Sequence, residues 1–321
     1  MKKLWIGSSF FIISVVTLTG IFICSPQARY SFSRAQRRSV GWYKKPMLIE
    51  YTLKSLDSIE VKSTSLNIDI KVSDSATETT VKYYTNWDGH VTDNRSSSLK
   101  IQEHWEQNWL YVFLPKMDHI LNRDSYITLE ITVSKETDLT RLKVTTKSGK
   151  IEITGMTADS VDLSATNQNI MVTDCVFDDT DISNVSGSTT IKNSHLGEKG
   201  NLSHSNGNMN LINCTINDDF KIEGNCTLTS CNLGDDIKIV NTTGNIKIDE
   251  TAFTGITITS TSGSIAVTKI PEIDLCNFDL KATGGTIKAR GTNQGTIYNV
   301  NPDSSQSWLK INATSGNIVV D

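Results

Sequence analysis

Helical patterning is the first thing the body of this sequence lacks. No stretch repeats Ala, Leu, Glu and Lys at the i, i+3, i+4 spacing of an amphipathic helix, so an almost helix-free fold is expected. Proline is scarce, with five in 321 residues. Ile and Thr instead stand beside Ser, Asn and Asp, a mixture that favours strands joined by tight turns. Catalytic signatures are missing too. There is no Gly-x-Ser-x-Gly elbow, and none of His90, His104, His119, His195 and His204 stands at a spacing that suggests a triad. No Cys-x-x-Cys pair or His partner has zinc spacing, and the repeat described below carries almost no aromatics to stack sugars. The expectation is a protein that is not an enzyme and needs no cofactor.

Acidic residues are missing from one end. None of the 35 lies before Glu50, while eight of the 31 basic residues do: Lys2, Lys3, Arg29, Arg34, Arg37, Arg38, Lys44 and Lys45. The rest is an acidic body, which argues against nucleic-acid binding, since polyphosphate recognition needs a basic face. A basic neck beneath it suits an anionic lipid surface.

Residues 4–24 contain no charge at all. As a helix they would span roughly 30 Å, a bilayer core, at about 1.5 Å per residue. A cleaved signal peptide would have a shorter apolar run and small residues before the cut, and Pro26-Gln27-Ala28 is a poor site. A lipoprotein cut before Cys24 would need a small residue in place of Ile23. The favoured reading is one transmembrane anchor in residues 1–25, a basic juxtamembrane linker in 26–49 and a body in 50–321. The positive-inside rule, taken alone, puts that body in the cytoplasm, because two Lys precede the segment and six basic residues follow it.

What the body does contain is a repeat with a period near 20 residues. Its unit is two alternating apolar residues, a five-residue turn that usually carries Gly, and two more alternating apolar residues. Leu142-x-Val144 leads through Ser148-Gly149 to Ile151-x-Ile153, and Val161-x-Leu163 leads through Asn167-Gln168 to Ile170-x-Val172. Ile237-x-Ile239, Ile256-x-Ile258 and Leu309-x-Ile311 open three more copies. Weaker ones centre on Gly187, Gly207, Gly224 and Gly285, and a detached copy runs from Ile59-x-Val61 to Ile68-x-Ile70. Alternation buries one face of each strand. Gly or Asn in the turn is expected to supply positive φ. A single coil cannot bury its apolar face, but stacked coils can. Seven residues past the turn comes a small residue (Cys175, Ser194, Cys214, Cys231, Thr251), and two further a bulky one (Phe177, Leu196, Ile216, Leu233, Phe253). The predicted fold is therefore an all-β solenoid of about ten short coils, roughly 45–50 Å long at ~4.8 Å per coil, preceded by the transmembrane helix. Residues 81–133 interrupt the repeat and are read as an antiparallel insertion. The coil Leu309 to Val320 is expected at one end of the stack, with Gly291 to Trp308 as its only cover.

Three groups carry candidate chemistry. Cys175, Cys214 and Cys231 fall in the small inward column and Cys226 replaces an inward Ile, so core thiols are favoured over disulfides. Asp218-Asp219 and Asp235-Asp236 lie at turns of neighbouring coils, where they could approach and ligate calcium or simply stay solvated. Trp87, Trp105 and Trp109 in the interrupting segment are either a binding face or core filler.

The strand Leu66-x-Ile68-x-Ile70 followed by the run Thr79 to Tyr84, together with Ser-Gly-x-Ile-x-Ile repeats such as Ser148-Gly149-Lys150-Ile151-Glu152-Ile153, resembles the toast-rack β-strand-repeat domain of LiaG-like, adhesin-like bacterial envelope proteins of unknown function. The resemblance covers about residues 50–321 and brings no catalytic motif. It implies a single-pass protein of the cell membrane with its body outside the cytoplasm, against the charge count. The functional expectation is a non-enzymatic structural or interaction module whose partners are the bilayer, through residues 4–24, and envelope proteins or the wall polymer. The alternatives are an envelope-stress accessory protein acting with membrane partners and, more distantly, a glycan-acting β-helix enzyme.

Overall fold

The computed structural model describes residues 48–53, 56–84, 89–91, 97–103, 128–271, 273–301 and 307–321. The expected anchor and residues 26–47 of the expected basic linker lie outside them, as do Trp87, Trp105 and Trp109. Among the described residues no helix is long and apolar enough to cross a membrane.

The described chain is all-β. Each coil gives one strand to a 14-stranded sheet and one to a 16-stranded sheet, and the inward faces of both share one core. In the coil Thr157–Ala165 plus Ile170–Thr173, the residues Val161, Leu163, Ile170 and Val172 are buried, as alternation requires. Pairing along the stack is parallel and sets like on like: Val161 beside Leu142, Leu163 beside Val144, Ile170 beside Ile151. Each fully buried Ile or Leu in such a ladder stabilises the fold by about 1.5–3 kcal/mol. A one-residue slip would turn a whole strand's apolar set to solvent, so the register is strongly specified. The small and bulky columns form a third, short side of the central coils, with Cys175, Ser194, Cys214, Cys231 and Thr251 all buried above Phe177, Leu196, Ile216, Leu233 and Phe253.

Three sequence expectations are corrected. The segment 81–133 is not simply an antiparallel insertion. Thr79–Tyr84 does pair antiparallel with Leu48–Leu53 and Thr128–Ser134, and Gly89–Val91 with Ser98–Glu103. But Ser98–Glu103 runs parallel to Ser58–Lys62, and Thr128–Ser134 parallel to Asn67–Ser73, placing Leu99 and Ile101 beside Ile59 and Val61, and Leu129 and Ile131 beside Ile68 and Ile70. Those two strands are one further coil, split in sequence by a long excursion.

The coil 308–320 is not terminal in space. Trp308–Ser315 lies between Gly255–Ser262 and Asn277–Gly284, and Ile318–Val320 lies between Ile265–Thr268 and Ile287–Ala289. The outermost coil, 277–289, is covered by the antiparallel strands Thr292–Gly295 and Ile297–Val300. The other end has the same exchange: the split coil is outermost, and the chain returns past coil 58–73 to continue on its far side.

The third correction is partial and concerns glycine: Gly224, Gly244, Gly263 and Gly316 have the expected positive φ, but not every turn glycine does. Gly149 does not have positive φ. It is required because a Cβ there would lie 1.6 Å from the Leu66 carbonyl oxygen of the adjacent coil. Positive φ also recurs at the opposite corner, one residue before the small column, at Asp174, Asn193, Asn213, Ser230 and Glu250 (φ between 49° and 55°). Their side chains bond along the stack, for example Asn193 Nδ2 to Asp174 Oδ1 at 3.1 Å and Asn213 Nδ2 to Asn193 Oδ1 at 3.3 Å. Asn and Asp tolerate this left-handed conformation better than most residues.

Candidate functional site

At one corner, between the bulky column and the strand of the larger sheet, three successive coils depart from the rest. Phe177 and Thr180 are separated by two residues, and so are Phe253 and Ile256. Between them in the stack, Leu196 and Gly200, Ile216 and Phe220, and Leu233 and Ile237 are each separated by three, and the register shift falls between Phe177 and Asp179. The extra residue pushes the corners 197–199, 217–219 and 234–236 outward. Asp219 and Asp236 take up the excess length with φ of 56° and 53°, away from the regular left-handed corner. Bulges of this kind re-aim side chains and concentrate beside functional sites.

Beside these corners lies a cleft of about 410 Å³, lined by Lys199, Thr215, Asn217, Asp218, Asn232 and Thr254 over the buried Ile216 and Leu233. Asn217 Nδ2 stands 3.4 Å from His195 Nε2. The backbone of the cleft wall is already paired along the stack: Thr215 N donates to Ser194 O, Asn232 N to Cys214 O, and Gly234 N to Ile216 O. These N–H groups are therefore not free to meet a ligand. Past one end of the cleft, Gly255 leaves room for a half-buried indole: a Cβ there would fall 2.5 Å from Trp308 Nε1 and 2.0 Å from Asp235 Oδ1.

The acidic pairs expected at neighbouring turns are found on these bulged corners. Asp218 Oδ1 accepts the backbone N–H of Asp235 at 2.6 Å. Lys238 Nζ donates to Asp236 at 2.8 Å and lies 4.0 Å from Asp219, so one ammonium pairs with a carboxylate of each corner. The Asp236 carboxylate raises the Lys238 pKa. Among the described residues no three His, Cys, Asp or Glu side chains are placed to hold a metal ion.

The described thiols Cys175, Cys214, Cys226, Cys231 and Cys276 are free and buried. Desolvation pushes Cys175 up to about 11 and Cys226 up to about 12, which keeps both protonated and inert. Cys214 and Cys231 lie one coil apart and both reach backbone carbonyl oxygens; their interaction with each other lowers the Cys214 pKa and raises that of Cys231.

Sequence reasoning picked out Asp218, Asp219, Asp235 and Asp236 but missed Lys199, Thr215, Asn217, Asn232, Thr254 and Trp308. The signal was nevertheless present: three residues rather than two between the bulky residue and the next inward one, in three consecutive copies.

The Toastrack DUF4097 family matches residues 56–321. No curated protein gives a significant match. Among solved structures, a candidate lipid-binding protein from Parabacteroides distasonis is similar at 15% identity and a TM-score of 0.37, covering 87% of this chain and 98% of its own. A candidate cell adhesion protein from Clostridium sporogenes is similar at 10% identity and a TM-score of 0.26, covering 86% and 99%. Neither likeness is close enough to speak to what this chain does.

Proposed function

The chain belongs to the Toastrack DUF4097 family, and from that premise we propose that it is a non-enzymatic interaction module of the bacterial cell envelope. In this reading residues 4–24 anchor it in the membrane as a single span, and the repeat domain stands outside the cytoplasm, facing envelope proteins or the wall polymer. The observation that carries the proposal is the polar cleft on three bulged coils. An in-register parallel stack holds such a surface rigidly, so a partner is met without ordering a loop first, and rigid presentation raises affinity. Extended solenoid faces commonly serve as binding surfaces.

Protease treatment of intact cells tests the placement. The expected outcome is loss of the repeat domain while cytoplasmic markers survive. Protection of the whole domain until lysis would overturn the exported arrangement and favour the cytoplasmic face that the charge count indicates.

A further inference from the structure

We infer that the cleft binds a hexosamine chain lying along the stack, its hydroxyl and amide groups on Thr215, Asn217, Asn232 and Thr254 and one sugar ring against Trp308. This assignment rests on reading the protein as an interaction module and names the ligand of its cleft. Four observations lead to it.

The first is that the bulge is confined to three consecutive coils and accompanied by left-handed φ at two non-glycine residues, Asp219 and Asp236. The flanking coils close the same corner with one residue fewer, so the extra length is not needed for stacking. It opens the cleft.

The second is the chemistry of the lining. Amide and hydroxyl side chains repeat from coil to coil, on the length scale at which successive sugar rings present their own hydroxyls. Each amide offers both donors and an acceptor, as a polyhydroxylated chain requires. A peptide strand would need an open backbone edge, and here the wall's backbone N–H groups are already bonded to the preceding coil.

The third is the indole. Trp308 lies across Gly255, directly after the cleft residue Thr254, and Trp308 N is tied to Thr254 O at 3.0 Å. An indole has an apolar face and a polar N–H edge, which suits the C–H face of a pyranose beside a hydroxyl.

The fourth is charge. Lys199 and Asp218 line the cleft, and on the same bulged corners Asp219, Asp235 and Asp236 outnumber the neighbouring Lys238. That balance repels phosphate-bearing polymers and favours a sugar carrying an amino group.

The test uses the full-length protein in detergent micelles, titrated calorimetrically with chitotetraose and with its de-N-acetylated counterpart. Both should bind, the amino form more tightly at low salt, with the difference shrinking as salt is raised. The pair Asn217→Ala and Asn232→Ala should weaken binding by about tenfold or more. Trp308→Ala should weaken it comparably, and Trp308→Phe should restore it if the ring face is what matters. Thr190→Ala, on the other sheet, should change nothing, and circular dichroism should show every variant folded. Absence of binding to either sugar would overturn the ligand class, while loss of the domain on protease treatment of cells would leave the module reading standing. Sugar binding unaffected by the Asn217, Asn232 and Trp308 changes would overturn the cleft as its site. Sugar binding that these changes abolish, in a domain protected inside the cell, would uphold the cleft and overturn the exported placement.

Discussion

The turns that lead from the larger sheet into the smaller one are closed in two ways, and the two occupy different parts of the stack. Toward the amino-terminal end a side chain closes the turn: Gly149 N donates to Thr146 Oγ1 at 3.1 Å, Gly187 N to Asn184 Oδ1 at 3.2 Å, and Gly207 N to His204 Nδ1 at 2.9 Å. Toward the carboxyl-terminal end the backbone does it: Gly244, Gly263 and Gly316 have φ of 106°, 120° and 119°. There the residue three before the glycine is Asn241, Ser260 or Ala313, and the buried Asn241 Nδ2 and Ser260 Oγ have no partner. Coils 157–173 and 277–289 use neither device: the first has Ala165 and Gln168 in these places, and the second has Ala282 with Gly285, whose φ is not positive. One hydrophobic repeat thus tolerates two turn chemistries, because its register is set by the inward ladders. The turn has only to reverse the chain without lifting one coil off the next.

The largest expected effect separates stacking from φ. Gly263→Ala would place a Cβ 1.7 Å from the Gly244 carbonyl oxygen and also force positive φ on a residue with a side chain. Overpacking and the backbone penalty together should destabilise by roughly 3 kcal/mol. Gly244→Ala meets only the Asn225 side chain, at 3.2 Å, and should cost ~1–2 kcal/mol from φ alone. Gly149→Ala isolates the steric part and should fall between them, at about 2 kcal/mol. Denaturant unfolding of the three variants checks the order. Equal losses at Gly149 and Gly244 would mean that close coil stacking is not what demands glycine.

These glycines mark where the sequence stopped being legible. Alternation at Leu142, Val144, Ile151 and Ile153, and in the copies that follow, identified the inward residues correctly, because burial of a period-two face leaves a direct trace. The order of coils in space left no such trace. Near-identical coils offer the same ladder to any neighbour, so nothing local distinguishes coil 308–320 at the end of the stack from the same coil slipped between 255–268 and 277–289. The split coil was hidden for another reason: its halves, Leu99-x-Ile101 and Leu129-x-Ile131, are too far apart to be read as one repeat. At the candidate site the acidic residues were conspicuous by composition. The neutral lining was not, since Asn and Thr are abundant throughout, and only the count of residues at the corner singles it out.

A smaller effect tests the side-chain closures directly. Asn184→Ala removes the acceptor for Gly187 N and the donor to the Gln168 carbonyl oxygen, leaving both backbone groups to find new partners. The expected loss is about 1–3 kcal/mol. The matching change in the other region, Ser260→Ala, removes a buried hydroxyl that bonds to nothing and should be neutral or slightly stabilising. Thermal unfolding of the two variants side by side should therefore give shifts of different size, and equal shifts would erase the distinction between the regions.

The smallest effect is a pH dependence present in only one region. His204 is buried, its Nδ1 accepts from Gly207 N, and desolvation lowers its pKa below the ordinary histidine value. The groups packed against it along the stack are Asn184 on one side and Gly224 on the other, and no charged side chain contributes to its shift; only the Gly187 carbonyl oxygen favours the charged form. In the unfolded chain the imidazole titrates near 6.5. As the pH falls, the unfolded chain binds this proton first, so stability is fully present above about 6.5, declines as the pH drops through that value, and levels off below the folded-state pKa. Protonation also turns Nδ1 from acceptor to donor and so opposes the Gly207 bond that closes the turn. The lowered carboxylates Asp249 and Glu250, held by Thr268 and Lys269, lose their contribution only near and below their usual range of about 4. Between about pH 7.5 and pH 5 the histidine can therefore be followed apart from them. His204→Asn copies the Asn184 closure of the neighbouring coil and removes the titrating group. Its melting temperature should fall less over that interval than the wild-type value does, while the two proteins should be close at the upper pH. Parallel declines would show that the imidazole exchanges its proton without opening the turn, and the side-chain closure at His204 would then be incidental to stability.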